Sequence, residues 1–146
     1  MEKDNANQMF PVNGLRICVD AGGEDVTGRV YTPLLEDGMA FAGLQEMFLK
    51  ADRIFDKAGY PEAMQQKRTF KKQKENGGTY HGLPEPVMSA EEILAQTGKE
   101  ATFDVVVNSR KNTTWQGVFF KNGKEDTHRF ESEMELIAEI LAMVKK

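Results

Sequence analysis

Very little in this chain can staple, anchor or ligate. One cysteine, Cys18, among 146 residues leaves no internal disulfide and argues against a disulfide scaffold. The two histidines, His81 and His128, lie far apart, whereas a Cys/His zinc site needs ligands at short spacings. No run of apolar residues approaches a membrane span. The opening Met-Glu-Lys-Asp-Asn-Ala-Asn-Gln lacks the basic and apolar regions of a signal peptide. With one thiol and no export signal, the expectation is a reducing, cytoplasmic setting. No phosphate-binding G-x-x-x-x-G-K-[ST] occurs, and Asp20-Ala21-Gly22-Gly23-Glu24-Asp25 lacks the alternating oxygens and distal Glu of a calcium loop. Cys18 has no Cys/His signature around it to form a thiolate. The expectation is therefore a non-enzyme, with no catalytic residue, no metal and no cofactor.

What is present reads as one domain, residues 1–146. Leu15–Ala21 alternates apolar and polar residues, and Val26–Thr32 follows Gly22-Gly23, which predicts a hairpin. Pro33 ends the second strand, and Met39–Phe41 is a short third one. From Leu44 to Ala58, apolar residues recur as one stripe at a helical period, closed by Gly59 and Pro61. Residues 60–88, basic and rich in Pro and Gly, read as an exposed linker. Ser89-Ala90-Glu91-Glu92 is a capping-box pattern predicting a short helix within 89–98. Phe103–Asn108 and Thr114–Lys121 read as strands separated by a polar turn at Arg110–Thr113. Asn122-Gly123 is a strong hairpin signal before a strand in Lys124–Phe130. A second capping box at Ser132 opens a helix with Leu136, Ile137, Ile140, Leu141, Met143 and Val144 as its apolar stripe.

The expected fold is thus α+β: an antiparallel sheet of about six strands with two main helices on one face. Both halves, 10–59 and 102–146, read strand, strand, short strand, helix. Gly28 to Phe41 and Gly117 to Phe130 each span 13 residues, and the two helical stripes stay in phase at an offset of 89. This spacing suggests a tandem βββα pseudo-repeat.

Two segments carry a resemblance. Phe41–Met47 with Asp52–Asp56 and Gly59–Ala63 is one; Thr114–Gly117 with Phe130–Ser132 and Glu135-Leu136 is the other. Together they resemble a group of small bacterial proteins of unknown function, a likeness that implies no activity.

Two features could meet a partner. Tyr31, Trp115, Phe119 and Phe120 lie on predicted strands, and adjacent Phe119 and Phe120 must point to opposite faces. If helices cover only one face, the other offers aromatic surface to a protein partner or to a second copy. Lys67, Arg68, Lys71, Lys72 and Lys74 with Phe70 form a basic island in a chain of net charge −4. Cations interleaved with an aromatic suit single-stranded nucleic acid, though five charges give only weak binding. A protein-interaction or regulatory module is the leading expectation, and accessory nucleic-acid binding through 67–74 is the alternative.

Overall fold

The computed structural model describes residues 10–22, 25–60, 63–64, 85–111, 114–123 and 126–144. Three strands, β1 (Gly14–Gly22), β2 (Val26–Tyr31) and β3 (Met39–Ala42), lead into helix α1 (Leu44–Ala58). A two-residue strand β4 (Ala63–Met64) and a short helix α2 (Ala90–Leu94) follow. Then come β5 (Ala101–Lys111), β6 (Gln116–Lys121), β7 (His128–Phe130) and helix α3 (Glu133–Val144). The main sheet is open, antiparallel and ordered β3-β2-β1-β5-β6-β7, so the fold is α+β.

Alternation decides which residues meet which layer. Leu15, Ile17 and Val19 of β1 and Phe103, Val105 and Val107 of β5 point one way. There they join Met47, Phe48, Ala51 and Phe55 of α1 and Leu136 and Ile140 of α3 in one core. The opposite face carries α2 and its flanking chain, with Ile93 fully buried. Ser89 caps α2 as the sequence predicts: its hydroxyl accepts from the Glu92 amide at 3.1 Å, and Glu92 accepts from the Ser89 amide at 3.3 Å. Helix α1 matches its predicted bounds and closes on Gly59 at φ 75°, a left-handed cap that glycine adopts without steric cost.

Several expectations change. Of the segment 60–88 read as a linker, residues 61–62 and 65–84 lie outside the described residues. Ala63 and Met64 pair parallel with Arg110 and Lys111, Met88 is buried, and the Val87 amide donates to the Pro33 carbonyl at 2.7 Å. Arg110 does not sit in a turn, because β5 runs on to Lys111. A register shift between Val107 and Ser109 resets the alternation there, which is what a β-bulge does. The second and third strands of that half are shorter than read, beginning at Gln116 and His128.

The two halves share local geometry. Gly28 pairs with Phe41 and Gly117 with Phe130. A register shift faces each glycine, at Val19/Ala21 in β1 and at Val107/Ser109 in β5. Glu46 accepts the Ala42 amide at 2.8 Å, and Glu135 accepts the Glu131 amide at 2.8 Å. These are shared registers and contacts; a duplication stays a suggestion of the spacing.

Candidate functional site

The four aromatic candidates do not share a surface. Trp115 is 1% exposed and Phe119 is fully buried, both beneath the helix layer. Trp115 meets Phe48 and Phe55 edge-on at 4.7 and 5.5 Å between ring centroids, geometries that aromatic quadrupoles favour. Phe119 lies 6.4 Å from Phe103 and 6.3 Å from Phe130, with the His128 ring stacked on it at 5.1 Å. Tyr31 and Phe120 do reach the opposite face, half-buried. They stand in one cross-strand row, Tyr31–Arg16–Asp104–Phe120, so three strand spacings separate them, about 14 Å. The expected aromatic sheet surface is therefore broken in its middle by an ion pair and by the chain that covers it. Lys67, Arg68, Phe70, Lys71, Lys72 and Lys74 lie outside the described residues.

That ion pair is built by register. Arg16 and Asp104 are direct partners on the two central strands, so their side chains project side by side. The guanidinium Nη1 donates to both Asp104 oxygens, at 2.8 and 3.1 Å, and Nε donates to the Gln96 carbonyl at 2.9 Å. Burial pushes the Asp104 carboxyl above the usual carboxylate range against the pull of Arg16. Beside it, Arg29 holds Asp20 at 2.9 and 3.0 Å, and also donates to the Tyr31 hydroxyl and to the Thr97 carbonyl. The Arg29 hydrogen bond holds the Asp20 carboxyl below its ordinary value, helped by the Lys99 amide. Asp20 is thus spoken for by an arginine rather than free for a cation. Together the two arginines clamp residues 94–99 across the sheet.

Cys18 lies within this frame, and burial pushes its thiol up to about 11. A thiol in that range is not a thiolate at neutral pH. Among the described residues no group of three His, Cys, Asp or Glu side chains is placed to hold a metal ion.

A second polar cluster went unseen in the sequence. Arg110 is nearly fully buried, and its Nη1 reaches Asp52 at 2.8 Å and Asp56 at 3.0 Å on α1. The Trp115 indole N–H donates to the same Asp52 oxygen at 2.9 Å. These contacts lock α1 to β5 and to the residue that leads into β6. Their only sequence signal is the i, i+4 pair Asp52 and Asp56.

The surface that lacks such a lock is the outside of the helix layer. Leu49 of α1 is 64% exposed, Met134 of α3 is 65% exposed and Leu141 is 37% exposed. Between the helices lies a depression of about 250 Å³ lined by Gln45, Phe48, Leu49, Glu133, Met134 and Ile137. Along α3 the outward positions are Met134, Glu135, Ala138, Leu141 and Ala142, four of them apolar. The inward positions Leu136 and Ile140 are fully buried in the core. A helix apolar on both sides is one that ordinarily meets protein on both sides. The stripe read from the sequence placed Leu141 with the core; the structure turns it outward.

No helix of the described residues is long and apolar enough to cross a membrane. No protein-family model matches the chain, and neither curated proteins nor solved structures yield a match.

Proposed function

We propose that this chain is a non-enzymatic protein-interaction module of the cytoplasm, acting through the outer face of its helix layer. The observation that carries this is the outward apolar stripe on α3, continued by Leu49 of α1. Single exposed leucines are ordinary, whereas a contiguous apolar strip on a small domain marks a contact surface. The polar clusters support the same reading, because their carboxylates and guanidinium groups are engaged in structural pairs. The fitting occupant is a protein helix with a matching apolar face.

The test compares captures from the native cytoplasm with tagged wild type and with a Met134→Glu, Leu141→Glu double variant, each with and without nuclease. Both positions are exposed, so the double variant is expected to keep the wild-type fold and melting temperature within a few degrees. A protein retained by wild type through nuclease treatment, and lost with the double variant, is the expected result. Retention unchanged by the double variant, or loss on nuclease treatment alone, contradicts the reading. Nuclease sensitivity would move the contact to residues 67–74.

A further inference from the structure

We propose that residues 87–99 are a strap that lifts from the sheet as one unit while the helix-covered side stays folded, a conformational device that hides or exposes the arginine-lined face. The strap lies on the opposite face of the sheet from α3, so it stands or falls independently of the contact proposed there.

Side chains of the sheet carry most of the strap's attachment. The Arg16 Nε donates to the Gln96 carbonyl at 2.9 Å, and the Arg29 Nη2 donates to the Thr97 carbonyl at 2.9 Å. The Thr102 hydroxyl accepts from the Gly98 amide at 2.8 Å, and Asp20 accepts from the Lys99 amide at 3.1 Å. Four successive residues are thus each held by a different side chain. Backbone bonds fasten the two ends, from the Val87 amide to the Pro33 carbonyl and from the Glu100 amide to the Val19 carbonyl. Each of these bonds exchanges for one to water when the strap lifts, so each adds little net stability. The large apolar side chains that the strap buries are Met88 and Ile93, whereas α1 alone buries Leu44, Met47, Phe48 and Phe55. Helix α2, at five residues, is too short to persist without the sheet beneath it. Segments with few buried apolar contacts open ahead of the whole. Lifting also returns the Arg16–Asp104 pair to water, which relieves the burial that raises the Asp104 carboxyl.

Cys18 lies under the strap. Its cross-strand neighbours on the same face are Arg29 and Thr102, and these bind Thr97 and Gly98. The chain therefore passes over the thiol, which is fully buried. Gly98 makes the closest approach: a Cβ there would strike the backbone of Val19 and Ala101. Trp115, 1% exposed, sits on the opposite face against Phe48 and Phe55 of α1. The chain has one cysteine and one tryptophan, so each face carries its own native reporter.

The experiment follows N-ethylmaleimide labelling of Cys18 and the emission of Trp115 in the full chain over a urea series. The slope of labelling with urea reads the surface exposed by the opening that admits the reagent. A shallow slope is expected below the Trp115 transition, joining the steep slope of global unfolding near its midpoint. Two matched variants separate the faces, since Ile93 and Ile140 are both fully buried. Ile93→Val removes one methyl from the strap and is expected to speed labelling without urea about 2–12-fold. Ile140→Val removes one from the helix layer; it is expected to lower the Trp115 midpoint and leave labelling without urea unchanged. Gly98→Ala is expected to hold the strap off, with labelling on the order of a hundredfold faster and native Trp115 emission. Labelling that keeps one steep slope and tracks Trp115 at every urea concentration overturns the strap. So does equal acceleration by Ile93→Val and Ile140→Val, or a Gly98→Ala protein that keeps its thiol protected or loses the Trp115 signal.

Discussion

Replacing Asp104 by alanine is expected to remove about 3–5 kcal/mol of stability. The reason lies in what stays behind. Arg16 is only 5% exposed at its side chain, and its Nη1 has Asp104 as its ionic partner at 2.8 Å. Without that carboxylate a full positive charge remains in the sheet with carbonyl oxygens alone to face it. Domains of this size hold about 5–15 kcal/mol in all, so the variant should be close to unfolding in mild urea. Taking both charges out of water offsets much of what their attraction gains. Changing both partners, Arg16→Met with Asp104→Leu, is therefore expected to recover most of the loss. It should not recover the hold on Leu94 and Gln96, whose carbonyls lose their donor, while Arg29 and Asp20 still hold Thr97 and Lys99. Urea unfolding reads the first effect. Amide exchange over residues 94–100, faster in the double variant, reads the second. An Asp104→Ala protein as stable as wild type would show that water or another charge replaces the carboxylate.

The second large effect is steric. A methyl group at Gly117 would sit 1.9 Å from the Val106 carbonyl oxygen, and one at Gly28 would sit 1.9 Å from that of Cys18. Both obstacles are backbone, in the two central strands, and neither can move as a side chain can. Each glycine faces a register shift in its partner strand, between Val19 and Ala21 or between Val107 and Ser109. Gly117→Ala and Gly28→Ala are each expected to cost about 3 kcal/mol or more, which lowers the melting temperature by roughly 6–12 °C. Equal losses at the two sites would follow from equal geometry. A variant that melts with wild type would mean that the shift relaxes freely.

How much of the fold is legible in the sequence depends on the range of the interactions involved. The bounds of α1, the cap at Ser89 and the turn at Asn122-Gly123 are set by neighbours within a few residues, and the sequence carried them. The sequence predicts a turn at Arg110 because charge between two strands usually marks one. Its partners, Asp52 and Asp56, are more than fifty positions away, and the bulge at Val107/Ser109 broke the alternation that would have extended β5. Trp115 and Phe119 share a parity that identifies one face, but Val118 and Phe120 made the other face apolar too. Only the placement of α1 and α3 shows which side is covered. The outward turn of Leu141 was hidden for the same reason: α3 is apolar on both sides, and a period cannot choose between them. The clamp by Arg16 and Arg29 depends on the β1–β5 pairing, which no local pattern specifies.

The account turns on whether the outer face of α3 is covered in solution. Capture from the native cytoplasm with the tagged full chain, after nuclease treatment and beside Leu141→Glu, tests this most directly. The wild type is expected to retain a protein partner that Leu141→Glu does not, with the two melting at the same temperature. A wild type that retains no protein, or a variant that retains it equally well, would contradict it.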